Sequence, residues 1–213
     1  MSELILTGFL ETILMTGLSS AIGLFFGGPL AVLLFMTGKE GLSQNNTYYQ
    51  ALGILINSTR SIPYIILTIL LIPVTRLLTG SSIGTLSAVI PLGVSAILLT
   101  ARIVEEALKT IPRGYSDLGI ALGATKKQII LKIIIPEALP NIISGITLVV
   151  INLIGFSAMA GAVGGGGLGD LAIRYGYQRY NLFILVCVVL ILIFLVQFIQ
   201  TVGDKLANHF KKS

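Results

Sequence analysis

Residues Leu182 to Ile199 read LFILVCVVLILIFLVQFI, eighteen positions without a charge. A soluble domain has no place for such a segment, because its surface must be solvated. A bilayer-crossing helix needs roughly 20 predominantly apolar residues, which this run supplies as far as Val202. The rest of the chain agrees. Only 11% of its 213 residues are charged, where soluble domains carry roughly 25%. Mean hydropathy is +0.95. Four further stretches have the required length: Phe9 to Met36, Ala51 to Leu78, Ile83 to Val104, and Leu139 to Val163. Unlike the last span, they contain Gly, Pro, Ser or Asn. Lipid offers no hydrogen bonds to backbone groups freed by such residues, so these helices should pack against protein or line a cavity. The expected fold is an all-α polytopic membrane protein with five transmembrane helices. It forms one domain over residues 1–213.

Orientation follows from the basic residues, which favour the cytoplasmic side. With the N-terminus outside, Lys39, Arg102, Lys109, Arg113, Lys126, Lys127, Lys132, Lys205, Lys211 and Lys212 are cytoplasmic. Arg76, Arg174 and Arg179 lie outside, and Arg60 falls within a span. The C-terminus is then cytoplasmic. Met1 to Leu10 lacks a basic start and is not read as a cleaved signal. The net charge of +5 is mostly this topology signal, and no basic face remains for nucleic acid. With one cysteine, Cys187, and one histidine, His209, a disulfide, a Cys-based cluster and a multi-His metal site are all excluded within one chain.

The most polar stretch, residues 105–138, is a cytoplasmic connector between the third and fourth spans. Ile111-Pro112-Arg113-Gly114 signals a turn. Ser116 is expected to cap a short helix with Asp117 in its first turn, Gly123 to end it, and Thr125 to cap a second short segment. The two helices should lie nearly parallel to the membrane, either as an interfacial amphipathic loop or as a docking platform for a soluble partner. Pro136 and Pro140 bracket the start of the fourth span.

This connector resembles the cytoplasmic loop of permease subunits in bacterial ABC importers. Their pattern is Glu-Ala-Ala, three residues, Gly, nine residues, Ile, one residue, Leu-Pro. Here Asp117-Leu118-Gly119 stands at the first position, then Ile120-Ala121-Leu122, Gly123, nine residues, and Ile133, Ile134, Ile135-Pro136. Spacing, Gly, the first Ile and Pro match; Asp replaces Glu, Leu-Gly replaces Ala-Ala, and Ile replaces Leu. The resemblance implies a type I importer fold in which Asp117, Leu118, Gly119, Ala121, Gly123, Ala124, Ile133 and Pro136 couple the spans to ATPase subunits. The sequence lacks the GxxxxGK[ST] phosphate loop, so ATP and Mg²⁺ are expected to be used by a separate chain, with no cofactor and no catalytic residue here.

Three stretches resemble the small five-span permeases of methionine importers. They are Asn57 to Pro63, the hairpin Ile72 to Leu77 with Gly80 to Gly84, and above all Gly155 to Gly169 followed by Tyr175 to Tyr180. Five spans do not easily enclose a central pathway alone, so a symmetric homodimer is expected; the resemblance implies the bacterial inner membrane, two ATP-binding subunits, an external methionine-binding protein, and uptake of D- and L-methionine. Another amino acid as substrate, or a channel or secondary transporter, are the alternatives. The latter normally carries intramembrane carboxylates, and no Asp or Glu lies well inside a span. Arg60, Ser157 and Met159 are placed along the substrate pathway. Arg60 has two readings: a contact for a substrate carboxylate, or a group satisfying carbonyls freed by Pro63 or pairing with Glu105 or Glu106. Met159 is either an adaptable contact for an apolar substrate or a filler between helices. Gly23 and Gly27 form a GxxxG packing motif. Tyr175, Tyr177 and Tyr180 read as interfacial anchors.

Overall fold

The computed structural model describes residues 2–39 and 41–211. Its first span is a single rod of 35 residues, Glu3–Thr37, made of α1 (Ser2–Ile22), a π-helical turn (Gly23–Gly27) and α2 (Gly28–Thr37). After a loop come α3 (Asn46–Arg60), α4 (Tyr64–Leu70), α5 (Ile72–Thr79) and α6 (Thr85–Lys109). The polar connector holds α7 (Arg113–Ala121) and α8 (Lys126–Ile129). A second π-turn (Ile130–Ile134) leads into α9 (Ile135–Ala162). Finally come α10 (Gly167–Leu171), a third π-turn (Ala172–Tyr177) and α11 (Leu182–Phe210).

Two of the π-turns have a common cause in the sequence. Each ends two residues before a proline, Pro29 and Pro136. A proline lacks the N–H that would bond four residues back, and its ring crowds that carbonyl. The residues four back, Phe25 and Lys132, both lie in the widened turn, which keeps the rods continuous.

The spans differ from the sequence reading in three places. Among the described residues, four helical stretches are long and apolar enough to cross a membrane. The expected second span becomes a fifth only as the bent pair α3 and α4, which meet at 100°. Pro63 causes the break: it bars the preceding residue from helical geometry and takes the position before α4 itself. Glu105 to Lys109 continue α6 rather than opening a loop. The second connector helix does not stand alone, since α8 runs through the π-turn into α9 as a stretch of 37 residues.

In lipid, apolar burial gives helices little reason to associate, so close backbone approach through small residues carries the packing. α6 is the central helix, with 61% of its most apolar window enclosed against 17% for α11. A Cβ at Gly23 would stand 2.8 Å from that of Ala96, and one at Gly27 would stand 2.6 Å from the Ile97 carbonyl. The GxxxG motif is thus the seam between the first span and α6. Above it, Met15, Leu92, Ala96, Val149 and Leu153 join α1, α6 and α9 in one core. Below it, Phe35, Val104, Leu108, Ile129 and Ile134 join α2 and α6 to the helix that leaves the connector.

Candidate functional site

The connector forms a rigid platform. α7 starts at Arg113 after Pro112, earlier than expected, so Ser116 is no cap; it lies buried within the helix. Asp117 is exposed in the middle of α7. The C-terminal end is closed by a Schellman motif: Ala124 N–H donates to the Gly119 carbonyl at 3.0 Å and Gly123 N–H to Ile120 at 2.9 Å. Gly123 takes φ +74°, the left-handed conformation that favours glycine. The next residues start α8 with a capping box. Gln128 N–H donates to Thr125 Oγ1 at 3.3 Å, and Thr125 N–H donates to Gln128 Oε1 at 2.8 Å.

The platform is seated on the rod below it. Gly119 lies so close to Ile129 that a Cβ would stand 2.7 Å from its Cγ1, with Ile133 at 3.2 Å. The Gly at the expected Ala position of the coupling pattern is thus a packing requirement. On the other side, Tyr115, Leu118 and Leu122 are exposed at helical spacing, Leu122 by 76%. The capped helix is thus fixed on one face and bare and apolar on the other. Of the expected coupling residues, Asp117, Leu118 and Ala121 are exposed, Gly119 is buried, and Gly123 and Ala124 form the turn. Ile133 packs beneath Gly119, and Pro136 sits exposed just past the π-turn. The sequence reading did not single out Tyr115, although its i, i+3, i+7 relation to Leu118 and Leu122 was visible.

Just above the platform, Glu105 is fully buried and ion-paired to Arg102 at 2.5 Å and Lys109 at 2.8 Å. Lys109 also reaches Glu106 and donates to the Tyr49 hydroxyl. Both acids are therefore engaged along α6, and the expected pairing of Arg60 with either is not formed.

Arg60 instead borders a cavity of about 140 Å³ at the α3–α4 break, with Ile62, Tyr64, Ser95, Leu98 and Phe156 among its walls. The Tyr64 and Phe156 rings stack at 4.8 Å with planes 1° apart. Ser157 is not among the lining residues; it is buried and donates to the Ile154 carbonyl at 2.8 Å. Met159 is 47% exposed on α9.

The glycine block from Gly164 to Gly167 is a buttress. Gly167 N–H donates to Glu11 Oε2 at 2.7 Å and Leu168 N–H to Thr12 Oγ1 at 2.9 Å. A Cβ on Gly169 would stand 2.3 Å from the Ala158 carbonyl, so α10 lies directly on α9. Asp170 is buried and paired with Arg174. Tyr175 lies under the Arg179 guanidinium, while Tyr177 and Tyr180 are exposed. Among the described residues no group of three His, Cys, Asp or Glu could hold a metal ion.

The sequence profile of the binding-protein-dependent transport system inner membrane components matches residues 23–209. The chain belongs to this family. It is therefore a multi-pass inner-membrane transport component. Members of the family with assigned substrates resemble it closely. It is 46% identical over 208 residues to the probable D-methionine transport system permease protein MetI of Vibrio cholerae, covering 98% of this chain and 92% of that one. It is 42% identical over 161 residues to the D-methionine transport system permease protein MetI of Escherichia coli K12, covering 76% and 74%. A chain of the inward-facing MetNI methionine ABC transporter superposes with a TM-score of 0.97 at 41% identity, covering 100% of this chain and 98% of that one. The fold is that of a type I ABC importer permease. An amino acid ABC transporter described with histidines shares the fold at 20% identity, with a TM-score of 0.79.

Proposed function

We propose that this chain is the membrane-spanning subunit of an ATP-driven importer that moves D- and L-methionine into the cytoplasm. It works as a homodimer with two ATP-binding subunits on the cytoplasmic side and an external methionine-binding protein. The N-terminus lies outside and the C-terminus inside, as the basic residues favour. The observation that carries this reading is the α7 platform, seated through Gly119 and bare at Tyr115, Leu118 and Leu122. The relatives named for D-methionine transport support the substrate.

In this reading the bare face of α7 enters a cleft on the ATP-binding subunit. ATP binding draws two such subunits together and pushes both platforms. α8, the second π-turn and α9 form one continuous stretch from Lys126 to Ala162, so the push reaches the membrane without a hinge at the connector. The pathway then opens outward to receive methionine, and hydrolysis and product release return it inward. The free energy comes from a ligand that binds one of two conformations better. This chain binds, orients and transmits; ATP and Mg²⁺ are used by the partner.

The test is co-purification. The chain is expected to bring an ATP-binding subunit with it, and Leu118→Asp with Leu122→Asp is expected to abolish that association while the chain stays folded. Retention of the subunit by the double variant would remove α7 as the docking face. A permease for another apolar amino acid is the second reading, favoured by the non-polar walls of the Arg60 cavity, which do not by themselves select a thioether.

A further inference from the structure

The cavity at the α3–α4 break is bordered by Arg60, an exposed residue without an acidic partner. Arg60 forms no ion pair among the described residues, and Glu105 and Glu106 are both held on α6. An arginine at membrane depth is costly unless an anion or water reaches it. Tyr64 also lines the cavity, and its hydroxyl is buried and meets no partner at bonding geometry. Its neighbour Thr68 already donates to the Tyr64 carbonyl. Leu67, Leu98, Leu99 and the stacked Tyr64–Phe156 pair complete a mostly apolar wall.

We infer that this cavity holds the carboxylate of the transported amino acid on its way through the membrane, Arg60 being the binding group. The inference rests on the importer reading above. A guanidinium matches a carboxylate with two parallel hydrogen bonds. The apolar wall takes an unbranched side chain, and the aromatic pair suits a thioether. The cavity is smaller than the roughly 300–1,000 Å³ typical of drug-sized ligands, which fits one amino acid. Broken helices at a substrate site are a general solution in transporters, since backbone freed at the break can face a cavity.

The test uses the complete complex in nanodiscs, without the external binding protein, and labelled L-methionine as the probe. Saturable binding is expected, with methioninol, which lacks the carboxylate, competing about tenfold less well, as loss of one charge-assisted hydrogen-bond pair implies. Arg60→Gln should weaken methionine binding by about tenfold and erase the preference over methioninol, and Arg60→Lys should keep part of it. Assembly with the ATP-binding subunits, read on the same samples, should be unchanged. An Arg60→Gln complex that keeps the preference overturns the inference, as does a wild-type complex with no saturable binding. Uptake by the wild-type complex with its binding protein is measured in parallel. Failure there removes the importer reading itself, whereas normal uptake with an unaltered Arg60→Gln preference removes only the carboxylate site.

Discussion

Arg113 Nη2, in the first turn of α7, donates to the Lys39 carbonyl at 2.5 Å, across 74 residues of sequence. Lys126, at the start of α8, donates to Ser43 Oγ at 3.2 Å. Both ends of the platform are thus tied to the loop between α2 and α3. A displacement of α7 reaches α9 through the chain itself and reaches the first span through these two bonds. The platform is thus linked to two helical rods, one through the chain and one through the loop after α2.

Arg113→Ala is expected to leave the complex assembled but to lower methionine uptake per ATP hydrolysed. Losing an exposed charge-assisted bond of about 1 kcal/mol corresponds to about a fivefold fall. Arg113→Lys should recover part of it. The ratio of uptake to hydrolysis in proteoliposomes measures this, and an unchanged ratio removes the brace.

Gly119 and Gly123 should fail for different reasons. Gly119→Val drives a side chain into Ile129, an overpacking cost of about 1–3 kcal/mol. Gly123→Ala strains a left-handed residue by about 1–2 kcal/mol, and Gly123→Asn by less. Thermal unfolding in detergent should rank Gly123→Asn above Gly123→Ala. Equal melting temperatures for those two would contradict the role of φ at this turn.

Gly27 and Gly28 are adjacent but face differently. A Cβ at Gly27 meets the Ile97 carbonyl, while one at Gly28 meets nothing within 4 Å. Gly27→Val should cost about 1–3 kcal/mol, and Gly28→Ala should be neutral or stabilising by up to about 1 kcal/mol. Melting temperatures of the two variants decide it, and a larger loss at Gly28 would refute the proposed seam.

Glu105 and Glu106 give a similar contrast in charge. Glu105→Gln leaves Arg102 and Lys109 without their buried counter-charge and should cost about 3–5 kcal/mol. Glu106, whose side chain is 65% exposed, should cost about 1 kcal/mol or less as Gln. Chemical unfolding of the purified chain separates the two.

Much of this was legible in the residues. The charge-free run became α11, Gly123 ends α7, and Thr125 caps α8, because each of these is decided within a few residues. The GxxxG pair was legible as a packing face, but its partner α6 was not. The bend at Pro63 was read as a local break in a continuous span, because composition counts apolar length and does not register direction. Ser116 reads as a cap by type, yet Pro112 starts the helix a turn earlier, and only the fold buries Ser116. Tyr64 and Phe156 were invisible as a pair: 92 residues separate them, and the stack exists only because the break turns α4 back against α9.

The most direct test is uptake of labelled methionine into proteoliposomes holding the complete complex, with the binding protein outside and ATP inside. Accumulation against a gradient is expected only when ATP, the ATP-binding subunit and the binding protein are all present. Leu118→Asp with Leu122→Asp should abolish it. Accumulation without ATP, or with α7 disabled in this way, would contradict the account.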